Sequence, residues 1–148
     1  MPPKPVFDIP SDRYYERAHH LWARMDEQSG CVRVGIDAIG LESLGELAYI
    51  SLKQTGSTVA RGESIGTLEA AKMTTIISAP CSGTVIRRNG TVLRNPLLVN
   101  EDPYDSGWLM KIMPSNWEAE SALLVSGSEI EAWVASEVER LRETTSDG

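Results

Sequence analysis

The stretch Gly66-Thr67-Leu68-Glu69-Ala70-Ala71-Lys72-Met73-Thr74-Thr75-Ile76-Ile77-Ser78-Ala79-Pro80-Cys81-Ser82-Gly83-Thr84-Val85 decides how the rest of the chain is read. Two runs with strand character flank residues 69–73, so the pattern predicts a hairpin with Lys72 at its tip. Small residues precede this lysine, and no other lysine lies between 54 and 110. A lysine at a hairpin tip projects its amine into solvent on a long flexible stem. A cofactor attached there could visit the active sites of several partners, and the tether would raise its local concentration at each docked site. The same residues also fit an ordinary solvated lysine in a turn.

Working outward, residues 53–99 show short apolar runs punctuated by Gly56, Gly62, Gly66, Gly83 and Gly90. Such spacing predicts short strands in a small sandwich or barrel. Upstream, residues 21–25 and 31–36 predict a second hairpin, with Val32, Val34 and Ile36 alternating toward a buried face. Residues 37–45 predict a short helix ended by Gly45, and residues 46–52 a further strand. Downstream, Ser115–Glu118 and Ser128–Glu131 fit the capping-box pattern. After the second, Ile130, Trp133, Val134, Val138 and Leu141 give an amphipathic helix whose apolar stripe should lie on the β-core. Residues 1–13, which hold four of the eight prolines, read as an extended lead-in, and residues 144–148 as a polar tail. Between them, residues 14–143 read as a single domain with no dividing linker.

Composition narrows the function classes. The 148 residues carry a net charge of -7, which argues against a broad nucleic-acid surface and fits solubility or docking onto basic partners. Basic clusters such as Arg87-Arg88 are short and flanked by apolar residues. Cys31 and Cys81 are too few for a disulfide framework, and no Cys/His spacing suggests a metal site. No apolar run approaches the length needed to cross a membrane. The N-terminal residues resemble neither a signal core nor a transit peptide, so the expected location is the cytosol. No Ser/His/Asp set, carboxylate pair or phosphate loop is present, so no catalytic residue is expected.

The stretch resembles the modified-lysine hairpin of lipoyl and biotinyl carriers, and the wider chain, over about residues 14–125, resembles the glycine cleavage H protein family. His20-Leu21-Trp22 is similar to the family's His-acid-Trp, Val34-Gly35-Ile36-Asp37 to Val-Gly-Ile-Thr, and Leu44-Gly45-Glu46 to Leu-Gly-acid. Glu69-Ala70-Ala71-Lys72 is similar to Glu-Ser-Val-Lys, and 79–85 to Ser-Pro-x-Ser-Gly-x-Val. Asn100-Glu101-Asp102-Pro103-Tyr104 with Gly107-Trp108 matches a closing signature that short lipoyl and biotinyl domains lack.

This resemblance implies a mainly β, barrel-sandwich hybrid fold with flanking helices. It implies lipoate in amide linkage to Lys72, with Glu69 in ligase recognition, Gly83 supporting the hairpin and His20 lining a groove for the arm. The protein would be a carrier, itself a substrate of a lipoate-attaching ligase or transferase and of its partner enzymes, rather than a catalyst. Glu69, Gly83 and His20 read equally well as a solvated charge, a glycine bend and a histidine packed beside Trp22.

Three departures bear on the pathway. Leu21 replaces an acid, Met73 follows the lysine as in biotin carriers, and Arg87, Arg88 and Arg94 stand where the family usually has acids. They lead to the expectation of an H-like paralogue in bacterial sulfur oxidation, working with a heterodisulfide-reductase-like complex. The alternative is an aminomethyl carrier partnered by glycine decarboxylase, aminomethyltransferase and dihydrolipoyl dehydrogenase. A biotinyl carrier and an unmodified interaction module also remain. Cys81 could meet the dithiolane or simply fill a core position. Trp22 and Trp108 are expected in the core.

Overall fold

In the computed structural model, which describes residues 7–146, the chain forms nine strands and five helices among the described residues. Expectations for residues 1–6 and 147–148 lie outside this range. Strands β1 (Tyr14–Tyr15), β2 (Leu21–Met25) and β3 (Val32–Ile36) are followed by helix α1 (Ala38–Leu44) and strand β4 (Leu47–Leu52). Next come β5 (Thr58–Val59), β6 (Ser64–Ala70), β7 (Thr74–Ser78) and β8 (Gly83–Arg88). Helices α2 (Gly90–Arg94) and α3 (Leu97–Glu101), strand β9 (Met110–Pro114), and helices α4 (Trp117–Ser121) and α5 (Glu129–Ser146) complete the order.

The strands form a six-stranded sheet, in the order β1-β2-β3-β9-β8-β5, and a three-stranded sheet, β4-β6-β7. Alternation along each strand buries one face between the sheets. Val32, Val34, Ile36, Ile65, Leu68, Val85 and Ile112 meet there in the main core. This is the expected β-sandwich with flanking helices. Residues 90–101 differ from the short strands expected of them, because Asn89 caps the first turn of α2 through Thr91 N–H and Pro96 opens α3. Both helices are only five residues long, too short to show a 3.6-residue stripe.

A second cluster lies on the outer side of the six-stranded sheet, where Tyr15, Trp22, Val125, Ile130 and Trp133 pack together. Helix α5 therefore sits on one sheet rather than across the sandwich, and it continues through Ser146, past the boundary expected at 143. Trp22 is fully buried because Gly35, its partner on β3, has no side chain. A Cβ at Gly35 would lie 2.3 Å from the indole. The Trp22 indole N–H donates to the Pro103 carbonyl at 3.0 Å, and the Tyr104 hydroxyl accepts from Ala38 N–H at 2.9 Å. The closing signature thus fastens the start of α1 to the second cluster. Trp108, expected in the core, is only partly buried. The Ser115 capping box does not form, since Asn116 occupies the N-cap of α4.

Candidate functional site

Strands β6 and β7 pair from Ser64↔Ser78 to Glu69↔Thr74, and Ala70 N–H donates to the Met73 carbonyl at 2.9 Å. This leaves Ala71 and Lys72 as the exposed tip. The tip is fixed from below. Ala71 N–H donates to the Glu46 carbonyl at 2.9 Å, and Lys72 N–H donates to the Leu44 carbonyl at 3.0 Å. Both acceptors belong to the corner between α1 and β4. Gly45 makes that corner possible, since its φ is +80° and a Cβ there would stand 3.3 Å from Ala71 Cβ and 3.4 Å from Lys72 Cγ. Asn100 holds the corner from the other side. Its Oδ1 accepts from Leu47 N–H at 2.9 Å and its Nδ2 donates to the Gly45 carbonyl at 3.0 Å.

Above this anchored backbone the Lys72 side chain is exposed, and its Nζ donates to the Glu42 carbonyl at 2.8 Å. An amide formed at Nζ would lose the charge yet keep one N–H for that carbonyl. The site therefore fits an acyl-linked cofactor such as lipoate. Glu69 is exposed on the outer face of the three-stranded sheet, between its strand partners Tyr49 and Thr74. Tyr49, Met73 and Ile76 are exposed around the same hairpin, with relative exposures of 57%, 48% and 54%.

Gly83 stands elsewhere. It lies on β8 in the six-stranded sheet, opposite Val59 and Pro114, and a Cβ there would lie 2.1 Å from the Met113 carbonyl oxygen. Its role is the close approach of β8 to β9, which corrects the expectation that it supports the Lys72 hairpin.

His20 is buried, with a left-handed φ of +57°, and stacks on Trp133. Its Nδ1 lies 3.2 Å from Asp37 Oδ2, and its Nε2 lies 2.6 Å from Glu137 Oε1, too far out of line for a good hydrogen bond. Burial opposes protonation of the ring, but the Asp37 hydrogen bond and the charges of Asp37 and Glu137 outweigh it and raise the pKa. Asp37 also caps α1 through Gly40 N–H at 2.9 Å. His20, Leu21, Leu44, Met73 and Ile76 border a groove of about 220 Å³ on one side of α1. On the other side, Lys72, Leu41, Glu42 and Asn100 border a wider, open hollow.

The expected residues thus divide. Lys72 and Glu69 share the hairpin, His20 lies across the groove beside it, and Gly83 lies apart. Sequence reasoning missed Gly45 and Asn100 as supports of the tip, and Glu137 as a buried partner of His20. Gly45 was visible as the end of α1 and as a member of a quoted motif, Asn100 only as a member of one. Glu137 lies four residues after Trp133, a spacing that shares its helix face. Cys81 is fully buried in the main core, and burial together with the Glu120 charge pushes its thiol up to about 12. It packs as a small apolar residue.

An exposed lysine on a pinned hairpin of a two-sheet sandwich is the arrangement a lipoyl- or biotinyl-type carrier requires. The family model described as glycine cleavage H-protein matches residues 13–137. The chain is 35% identical over 132 residues to glycine cleavage system H protein 2 of Aquifex aeolicus, covering 89% of this chain and 81% of that one. It is 37% identical over 131 residues to the glycine cleavage system H protein of Carboxydothermus hydrogenoformans, covering 88% and 98%. The crystal structure of the Mycobacterium marinum glycine cleavage system H protein superposes with a TM-score of 0.68 at 37% identity, covering 72% of this chain and 87% of that one. The chain belongs to the glycine cleavage H-protein family. Proteins of this family carry lipoate covalently on a lysine and act as carriers rather than catalysts.

These relatives favour the glycine-cleavage alternative and give no support to the sulfur-oxidation reading. Leu21 and Met73 border the groove beside the hairpin, but the third departure behind that reading lies away from it. Arg87 and Arg88 lie on β8 and Arg94 on α2, whereas the Lys72 tip belongs to the other sheet. Among the described residues no cluster of His, Cys, Asp and Glu could hold a metal, and no helix is long and apolar enough to cross a membrane.

Proposed function

We propose that the chain is the aminomethyl carrier of a cytosolic glycine cleavage system, with lipoate attached at Lys72. The observation that carries this reading is the anchored tip, in which two backbone hydrogen bonds fix Ala71 and Lys72 while the lysine side chain stays exposed. A ligase or transferase would meet one pose of the lysine. Glu69, exposed on the adjoining face, offers that enzyme a charged mark beside it. When bound, lipoate supplies the sulfur chemistry that takes up a one-carbon amine fragment and passes it on.

The chain's own residues do the rest. Gly45 and Asn100 keep the tip from fraying. The groove beside α1, walled by Leu21, Leu44 and Met73 with His20 at its edge, offers the arm a mostly apolar resting place out of water. His20 cannot swing freely into it, because Asp37 and Glu137 flank both ring nitrogens and Trp133 covers one face. Its part is to shape that wall. Glycine decarboxylase, aminomethyltransferase and dihydrolipoyl dehydrogenase are the partners this reading requires.

The test is a reconstituted reaction. The lipoylated chain should support glycine-dependent exchange of bicarbonate with glycine decarboxylase, and the complete cleavage reaction with all three partners. Lys72→Arg should abolish both. A lipoylated chain that these enzymes do not use would contradict the pathway while leaving the carrier intact.

A further inference from the structure

Four cations far apart in the chain become neighbours in the six-stranded sheet. Arg24 on β2 pairs with Arg33 on β3, Arg33 with Lys111 on β9, and Lys111 with Arg87 on β8. The pairings run across four adjacent strands in one row. The residues beside the first three, Ala23, Val34 and Met110, belong to the main core, and a bulge between core-facing Val85 and Arg87 brings Arg87 opposite Lys111, so the row stands on the outer face. Like charges directly opposite one another in a sheet are destabilising, because their Cβ atoms lie about 5 Å apart. Among the described residues Arg24 has an ion-pair partner, Asp12 at 3.4 Å, and that pair is half exposed, while at the edge of the row the exposed Asp26 carboxylate feels the charge of Lys111 without pairing with it. Arg33, Arg87 and Lys111 form no ion pair among the described residues. The Trp108 ring lies at the middle of the row, with Arg33, Arg87 and Lys111 at 5.6, 5.9 and 5.5 Å from it. In a chain of net charge -7, this row is a local reversal of sign.

We propose that the row Arg24–Arg33–Lys111–Arg87, with Trp108, is a docking surface for an acidic helix of a partner protein. The spacing selects the helix. Adjacent strands lie about 4.8 Å apart, so the row offers one cation per strand over about 14 Å. A helix that shows one carboxylate per turn repeats at about 5.4 Å and stays in step with four such cations. An extended acidic segment repeats at about 6.7 Å on one face and falls out of step. A nucleic-acid duplex places a charge on each strand every 3.4 Å or so along its axis and would bring its remaining phosphates against the acidic bulk of the molecule. The half-buried indole and the exposed Met113, on the same face as Lys111, supply the apolar contact that interfaces add to charge. Because the row lies on the sheet that does not bear Lys72, a partner held there leaves the hairpin tip free. The surface stands whether or not the chain serves glycine cleavage.

The experiment titrates the isotope-labelled full chain with a stapled helical peptide carrying one Glu per turn for four turns, followed by NMR at low salt. The expected result is a shift of the Trp108 indole N–H and of the Arg33, Arg87 and Lys111 amides, reversed by added salt. Arg33→Gln with Arg87→Gln should weaken binding about tenfold, as expected for removing two partly exposed charge pairs, while Arg33→Lys with Arg87→Lys should largely retain it. The Gln pair should melt no lower than the parent, since it relieves repulsion. Shifts elsewhere or none would overturn the proposal. So would tighter binding to an oligothymidylate of equal charge, which would make the row a nucleic-acid surface. A lower Tm for the Gln pair would also overturn it, by making the row a structural device built on Trp108.

Discussion

Asn100 and Gly45 are joined by a hydrogen bond of 3.0 Å from the carboxamide Nδ2 to the glycine carbonyl, and through it the end of α3 holds the corner on which the Lys72 tip rests. The same carboxamide accepts from Leu47 N–H, so one side chain ties the end of α1 to the start of β4. Removing it should cost stability and also loosen the presentation of Lys72. Asn100→Ala should lower stability by about 2 kcal/mol, since it leaves a donor and an acceptor unpaired. That is roughly 5 °C in Tm for a chain of this size. The rate of lipoylation should fall as well, while Lys72 remains the residue modified. Thermal melts and a timed lipoylation assay read the two effects separately.

Gly45→Ala should act on the same corner through the backbone. With φ +80° and ψ -161° Gly45 sits where essentially only glycine is found, so an alanine there costs about 1–3 kcal/mol, and its Cβ would press on Ala71 and Lys72. The expected outcome is a lower Tm together with faster hydrogen exchange at the Ala71 and Lys72 amides. Unchanged protection at those amides would show that the corner does not anchor the tip.

At Gly35 the conflict is with a ring rather than a turn. A Cβ would overlap the Trp22 indole, whose place in the second cluster is fully enclosed. Gly35→Ala should destabilise by about 3 kcal/mol, at the upper end of overpacking costs. It should also expose Trp22, which shifts the tryptophan emission to longer wavelength.

His20 gives the folded state a pH dependence of definite sign. Its pKa is raised above the ordinary 6.5, so the charged ring is favoured in the folded state. The stability this contributes is complete below about pH 6.5 and is lost as pH rises through the folded-state pKa. The Tm should therefore show a falling component above pH 6.5 that His20→Gln removes. A histidine NMR titration should place His20 above the ordinary 6.5.

Cys81 should be inert in the native protein, since it has no exposed surface and its thiol is pushed up to about 12. Iodoacetamide at pH 8 should leave it unmodified until denaturant is added, when mass spectrometry should show the adduct. Native-state alkylation at Cys81 would contradict its placement in the core.

Much of the sandwich was legible because short-range chemistry governs it. Alternation at Val32, Val34 and Ile36 gave β3, the small residues around Lys72 gave the tip, and Gly45 gave the end of α1. Helices α2 and α3 were not legible, since five residues carry no period and their caps use Asn89 and Pro96 in a loop-like context. Gly83 was misplaced because a glycine between two strands signals close approach without saying which strand approaches. The buried pair His20 and Glu137 joins residues 117 positions apart, and the only local mark of Glu137 is its spacing from Trp133, which names a helix face but not a histidine partner. The cationic row failed to appear for the same reason, since only strand pairing brings Arg24 and Lys111 onto one face. The basic residues that suggested a different pathway were thus visible in sequence, but their distance from the hairpin was not.

The central claim is that Lys72 carries the arm, and the most direct measurement is intact mass with peptide mapping of the protein from its native cell. The account predicts one lipoyl adduct, confined to the peptide containing Lys72. An unmodified Lys72 in cells that lipoylate their other carriers, or a biotinyl adduct in its place, would contradict it.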